Sequence, residues 1–249
     1  MVEVDTIAAV CTPPGQGGIG IVRVSGPKSR AIVDSIFRPK NRSKARPFLL
    51  RYGHIIDGAN IIDEALVSVM SAPRTYTTQD MAEFNCHGGY AVLQHVLKLT
   101  LYYGARLAEP GEFTKLAFLN GRIDLTQAEA VMDIINAETE YGLSSAASQL
   151  SGCFRAKIVL LRDKILSLRA EIEVAIDYPD DYPDDYQDIH PAESYDSALS
   201  EIIAELDRYI SSAAIGVPLA RGLKTVILGK PNVGKSSLLN ALLEQDRAI

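Results

Sequence analysis

The stretch Phe154-Arg-Ala-Lys-Ile-Val-Leu-Leu-Arg-Asp-Lys-Ile-Leu-Ser-Leu-Arg-Ala-Glu-Ile-Glu-Val-Ala175 decides how the chain divides. Phe154, Ile158, Leu161, Ile165, Leu168, Ile172 and Ala175 alternate in steps of four and three, the repeat of a single helix face. The stripe continues backward through Leu150, Ala147 and Leu143, and no proline interrupts residues 126–176. The spacing predicts one helix of about 35 residues, about 50 Å long at roughly 1.5 Å per residue. Thr126 is the expected N-cap at the start of this region, and Pro179 and Pro183 stop it. A second helix is expected over 192–213, with Tyr195, Leu199, Ile202, Leu206 and Ile210 on one face. Two antiparallel helices do not close a bundle. The stripe therefore needs partners from another chain or from residues outside this one.

Upstream of about residue 125 the pattern changes. Ile19–Val24, Arg51–Asp57, Ala65–Met70 and Met81–Cys86 read as strands, with a turn at Asp57-Gly-Ala-Asn60 between the second and third. Gly88-Gly89 then punctuates the chain before a helix over Tyr90–Tyr103, whose Val92, Val96, Leu97 and Leu99 suit packing. The expected fold class is α+β: a mixed N-terminal domain, then a long-helix half bundle, then the opening of a third domain.

Hydrophobic residues make up 47% of the 249 and charged residues 22%, with a net charge of −6, which is ordinary for a globular protein. No apolar run approaches the roughly 20 residues needed to cross a bilayer, and Met1-Val-Glu-Val-Asp5 resembles neither a signal nor a transit peptide. Cys11, Cys86 and Cys153 are scattered, as are His54, His87, His95 and His190, so no metal-ligand spacing is present. Free thiols and a cytoplasmic location are expected. Six basic residues and no acidic ones fall between Arg38 and Arg51, a patch able to meet phosphates. The repeat Asp177-Tyr-Pro-Asp-Asp-Tyr-Pro-Asp-Asp-Tyr-Gln-Asp188 reads as an exposed linker.

Near the end, Gly229-Lys-Pro-Asn-Val-Gly-Lys-Ser236 fits the phosphate-binding loop Gly-x-x-x-x-Gly-Lys-[Ser/Thr]. Backbone N–H groups of such a loop converge on phosphates at a helix start that adds about half a positive charge. Lys235 is placed to reach the outer phosphates, and the Ser236 hydroxyl to complete a magnesium shell. Leu223–Leu228 is expected as the preceding strand and Ser237–Leu243 as the following helix. Only 13 residues follow Ser236. The second-strand aspartate and the water-ordering residues of a nucleotide hydrolase have no place here, so this chain is expected to contain no catalytic residue and to turn over no nucleotide.

Several stretches together resemble one family, the tRNA-modification GTPases MnmE (TrmE). They are Asp5-Thr-Ile-Ala-Ala9, Thr12-Pro-Pro-Gly-Gln-Gly-Gly-Ile-Gly-Ile-Val-Arg-Val-Ser-Gly26, Glu83-Phe-Asn-Cys-His-Gly-Gly89, the block Pro110–Ala130 and Ala175-Ile-Asp-Tyr-Pro179, with the loop Gly229–Ser236. The resemblance implies an N-terminal folate-binding and dimerising domain over 1–120. It also implies the first half of a helical domain over 121–217, and the start of an inserted GTPase domain over 218–249. It places folate contacts on Arg23, Glu83 and Arg122, where relatives often have lysine at the last. Nucleotide contacts fall on Asn232, Val233, Gly234, Lys235, Ser236 and Ser237, with Ser236 for magnesium and Asn232 for potassium. The full-length protein is implied to use GTP/GDP, Mg2+, K+ and a 5-formyl- or methylene-tetrahydrofolate. With the flavin-dependent partner MnmG (GidA) in a heterotetramer, it is implied to add a carboxymethylaminomethyl group to the wobble uridine of tRNA. Two other readings stand beside this one: a non-enzymatic folate-binding dimerisation module, and an unrelated P-loop ATPase or kinase.

Overall fold

The computed structural model describes residues 5–41, 47–177, 192–221, 225–231 and 233–244. Much of the basic stretch (42–46) and of the Asp-Tyr-Pro repeat (178–188) lies outside these residues, as does Asn232. The chain falls into two compact units, Met1–Ala128 and Glu129–Ile249, and the architecture is α+β.

The first unit is built on a seven-stranded sheet. Its strands are β1 (Ile7–Val10), β2 (Gly17–Ser25), β3 (Phe37–Pro39), β4 (Leu50–Asp57), β5 (Asn60–Met70), β6 (Met81–Gly88) and β7 (Arg106–Leu107). They lie in the order β3-β4-β5-β6-β2-β1-β7. The ladder is antiparallel except for β1 with β7. The strands expected from alternation are all present, and Gly58-Ala59 closes the β4–β5 hairpin where the turn was expected. The short edge strands β3 and β7 carry too few residues to alternate visibly.

Period-two alternation gives the sheet two different faces. Val22 and Val24 of β2, Phe84 and Cys86 of β6 and Val67 of β5 enter one buried cluster. They pack there with Ile32, Val33 and Ile36 of α1 (Ser29–Ile36) and with Leu93, Val96, Leu97 and Leu99 of α2 (Tyr90–Tyr102). Ile21, Arg23 and Ser25 of β2, and Glu83 and Asn85 of β6, point the other way. Part of that second face is covered by a strap, residues 71–80, and by α3 (Glu112–Leu119). The strap is held where Ser25 Oγ meets Thr77 Oγ1 at 2.6 Å, with Thr77 fully buried. Asn120 Nδ2 donates to the Thr77 carbonyl at 2.6 Å, and the Tyr76 hydroxyl and Thr114 Oγ1 are 2.8 Å apart.

The helical expectations need three corrections. The cap before α4 (Leu125–Ile135) is Asp124, not Thr126. The Asp124 carboxylate accepts from the Gln127 N–H at 2.9 Å while Gln127 Oε1 accepts from the Asp124 N–H at 3.0 Å, a reciprocal capping box. The single long helix is two, α5 (Glu140–Leu150) and α6 (Cys153–Asp177). Gly152 sits between them at φ +90°, a left-handed conformation that glycine adopts without steric cost. The signal, Ser151-Gly152, was in the sequence but is weaker than the periodicity around it. The third correction concerns phase. In α7 (Ala192–Arg221) the covered residues are Tyr195, Ala198, Ile202, Glu205 and Tyr209, while Leu199, Leu206 and Ile210 stay exposed. In α5 and α6 the expected stripe is covered in part: Leu143, Phe154, Ile158 and Ile165 are exposed, while Leu161 is buried and Leu150, Leu168, Ile172 and Ala175 are half-buried as the stripe requires. An apolar flank in the second unit is thus uncovered.

Glu112, at the start of α3, is buried and binds Arg106 of β7 through two hydrogen bonds of 2.9 and 2.6 Å. It also accepts from the Glu109 N–H at 2.7 Å. The Arg106 guanidinium is the main influence holding the Glu112 carboxyl below its ordinary 4.5. A depressed folded-state value means that this stabilisation is complete above pH 4.5 and is lost as pH falls through the folded value. Glu112→Gln should therefore lower stability by about 1–2 kcal/mol at pH 7, for loss of charge-assisted bonds to a half-exposed partner. Urea unfolding at pH 7 and pH 3.5 checks this: the difference between variant and parent should shrink at the lower pH.

Candidate functional site

The second face of the sheet carries a charged and aromatic cluster. Strand register sets Arg23 directly opposite Glu83, and Arg23 Nε donates to Glu83 Oε1 at 2.8 Å. Their side chains are 27% and 23% exposed, enough to keep both open to a ligand. Among the described residues, the terminal nitrogens of Arg23 and the second oxygen of Glu83 make no further hydrogen bond to the protein. The Arg23 guanidinium lies 5.7 Å from the Tyr76 ring centre and 5.6 Å from that of Phe113. Arg122 comes from a different element, yet its guanidinium lies 4.8 Å from the same Tyr76 ring.

The end of α3 explains where Arg122 goes. Gly121 N–H donates to the Phe118 carbonyl at 2.9 Å and Arg122 N–H to the Ala117 carbonyl at 2.9 Å. That pair of bonds is a Schellman motif, and it requires Gly121 in its left-handed conformation, φ +73°. The motif turns the chain back as the helix ends. Arg122 is therefore fixed by backbone geometry, not merely drawn to a helix C-terminus by its dipole. Nearby, Cys11 is exposed, yet desolvation by the groups packed around its thiol pushes it up, against the lowering influence of Arg23. Burial also pushes Cys86, on the core face, up to about 12. Neither thiol is poised as a nucleophile.

The phosphate-loop residues form a separate group in the second unit. Gly234 at φ +91° caps α8 (Lys235–Leu243), and Leu238 N–H donates to its carbonyl at 2.9 Å. Lys235 Nζ donates to the Lys230 carbonyl at 2.7 Å, folding the lysine back over the loop. Val233 is exposed, and Ser236 and Ser237 lie in the first turn of α8. The strand expected over 223–228 is not formed at 225–228, where Val226 and Leu228 are 75% and 87% exposed. A strand is defined by its ladder, and no other strand lies in this unit among the described residues. No group of His, Cys, Asp and Glu able to hold a metal ion is found among the described residues. No helix among them is long and apolar enough to cross a membrane.

Comparison with known proteins matches residues 6–122 to the family described as GTP-binding protein TrmE N-terminus, and residues 125–247 to the MnmE helical domain. The chain belongs to the MnmE (TrmE) family. It is 54% identical over 250 residues to the tRNA modification GTPase MnmE of Carboxydothermus hydrogenoformans, covering 98% of this chain and 53% of that protein. The MnmE of Lactobacillus delbrueckii subsp. bulgaricus is 49% identical over 251 residues, covering 100% of this chain and 54% of that protein. That of Alkaliphilus oremlandii is 48% identical over 253 residues, covering 98% and 53%. The chain thus spans about half the length of the curated relatives it matches.

Within this MnmE-family chain, the structure brings Arg23, Glu83 and Arg122 to one place, and sets Val233, Gly234, Lys235, Ser236 and Ser237 in another. Sequence reasoning missed Tyr76, Phe113 and Thr114. Phe113 and Thr114 sit inside the quoted Pro110–Ala130 block, but nothing in their spacing shows that α3 faces the sheet. Gly121→Ala meets open space, so its cost is conformational alone. It should destabilise the first unit by about 1–2 kcal/mol, measured by urea unfolding, and displace Arg122 from the Tyr76 ring, measured by a changed Tyr76 ring resonance.

Proposed function

We propose that the chain is the N-terminal part of a tRNA-modification GTPase, with folate bound on the second face of its sheet. The carrying observation is the convergence of Arg23, Glu83 and Arg122 on one surface in a chain of this family. The donor set suits the ligand. The open Glu83 oxygen can accept the paired N–H donors of a pterin, and Arg23 and Arg122 can pair with folate carboxylates. Tyr76 and Phe113 offer flat surfaces for a heteroaromatic ring. A bound tetrahydrofolate derivative, 5-formyl or methylene, would supply a one-carbon unit.

In this proposal residues 1–120 form the folate-binding and dimerising domain, 121–217 the first half of the helical domain, and 218–249 the opening of the GTPase domain. The glycine-capped start of α8 fits phosphate binding, since N–H groups and the helix dipole converge there. Val233, Gly234, Lys235, Ser236 and Ser237 would contact GTP or GDP, with the Ser236 hydroxyl directed to magnesium. Asn232, the proposed potassium ligand, lies outside the described residues. The full-length protein is proposed to be a cytoplasmic homodimer that hydrolyses GTP with K+ and Mg2+. It would act with MnmG to place a carboxymethylaminomethyl group on the wobble uridine of tRNA. A second reading, that this chain by itself is a folate-binding dimerisation module without turnover, is favoured by the absence of strand structure at 225–228.

Calorimetric titration of the chain with 5-formyltetrahydrofolate tests the proposal. Saturable binding is expected, weakened at least about tenfold by Arg23→Ala or Glu83→Ala, as for loss of a charge-assisted bond. No binding by the folded parent chain would sink it. A separate expectation concerns tRNA. Arg38 and Lys40 are exposed at the sheet edge, with Lys40 5.0 Å from the Tyr52 ring centre. If they meet tRNA phosphates, replacing both by glutamine should flatten the slope of log affinity against log salt by about 2. An unchanged slope would remove them from the interface.

A further inference from the structure

Tyr76 stands at the centre of the cluster, yet neither the motif reading nor the family-derived contacts include it. Its ring has one guanidinium at 4.8 Å and another at 5.7 Å. The first is Arg122, brought by the chain reversal after α3; the second is Arg23, brought by β2. Two like charges directed to one place repel, and each needs a compensating partner. Arg23 has Glu83. Arg122 is exposed and has no carboxylate within ion-pair distance among the described residues; apart from solvent, its guanidinium meets the electron-rich face of Tyr76.

The tyrosine is itself held. Its hydroxyl and Thr114 Oγ1 are 2.8 Å apart, which fixes the ring to α3. Its neighbours Thr75 and Thr77 tie the strap down, through Thr75 Oγ1 to the Gln79 carbonyl at 2.6 Å and Thr77 Oγ1 to Ser25 Oγ at 2.6 Å. A half-buried ring bolted at both ends is a rigid platform. A phenylalanine would keep the π face and lose the bolt. A leucine would lose both.

We infer that Tyr76 is a positioning residue, one whose ring meets both the Arg23 and the Arg122 guanidiniums and sets them to receive an anionic, flat-ringed ligand. The inference rests on the folate reading above and adds to it. The Arg23–Glu83 pair is locally neutral, so the uncompensated charge of the site is that of Arg122. The ligand should therefore present a negative group on the Arg122 side of Tyr76 and its neutral ring system on the Glu83 side. This orders the ligand along the cluster, heteroaromatic end toward β6 and carboxylate end toward the end of α3.

The test is titration of the 249-residue chain with 5-formyltetrahydrofolate, and with the same pterin lacking its glutamate tail. Tyr76→Leu, Tyr76→Phe and Thr114→Val are compared with the parent, with a thermal melt for each. In Tyr76→Leu the folate should bind at least about tenfold more weakly, and the parent's preference for it over the tail-less pterin should largely vanish. Tyr76→Phe and Thr114→Val should keep the preference and lose only a few-fold in affinity. A merely structural role would shift both ligands equally, so an unchanged preference in Tyr76→Leu overturns the inference while leaving the folate reading in place. If Tyr76→Leu does not fold, Tyr76→Phe combined with Thr114→Val carries the test, and parental affinity in that variant overturns it. Absence of folate binding by the folded parent overturns the folate reading and this inference with it.

Discussion

The antiparallel register between β2 and β6 is the constraint on which the first unit depends. It places Val22 opposite Phe84 and Arg23 opposite Glu83. Because side chains alternate between faces, one register assigns both the hydrophobic core and the charged pair. A slip of β2 by one residue would send Val22 and Val24 to the face that now holds Glu83, and would push the Arg23 guanidinium into the cluster packed against α1 and α2. The same interaction that makes the fold therefore makes the cluster. The charged pair needs no separate scaffold.

What the register does not supply, the covering elements do. Arg122 lies far from β2 in the chain, and it reaches Tyr76 through a chain reversal set by two backbone hydrogen bonds and one left-handed glycine. Tyr76 lies on a strap fixed by hydroxyl and carbonyl contacts. Three independent local devices, a ladder, a helix end and a strap, converge on a small area. Each uses ordinary bonds of modest strength. Their combined effect is to present partly exposed charges without leaving them free to collapse onto one another.

Periodicity was a good guide where an element buries one face and a poor one where burial is incomplete. The strands containing Val22, Val24, Val67 and Phe84 were legible because each second residue enters a core. The phase of α7 was not. Of the expected face Tyr195, Leu199, Ile202, Leu206 and Ile210, the structure covers Tyr195 and Ile202 together with Glu205 and Tyr209, and leaves Leu199, Leu206 and Ile210 exposed. A sequence records every apolar face a helix carries, and among the described residues only some of those faces are covered. Arg23, Glu83 and Arg122 could be named through family resemblance, but no spacing rule links residues 23, 83 and 122. Their proximity, and Tyr76 between them, is a tertiary fact.

The pairing of β1 with β7 has a kinetic consequence. Ile7 lies beside Arg106 in the sheet, and the Arg106 guanidinium donates to the Asp5 carboxylate at 2.9 Å. During synthesis the first strand leaves the ribosome long before this neighbour exists, a delay of about 5–20 s at roughly 5–20 residues per second. In that interval β1 can pair with β2 but keeps one open edge, the arrangement that invites association with other strands. Closing the edge joins segments about 100 residues apart, a larger entropic step than any hairpin in the unit. Because α3 and Arg122 follow β7 in the chain, the charged cluster is completed only after that edge can be sealed.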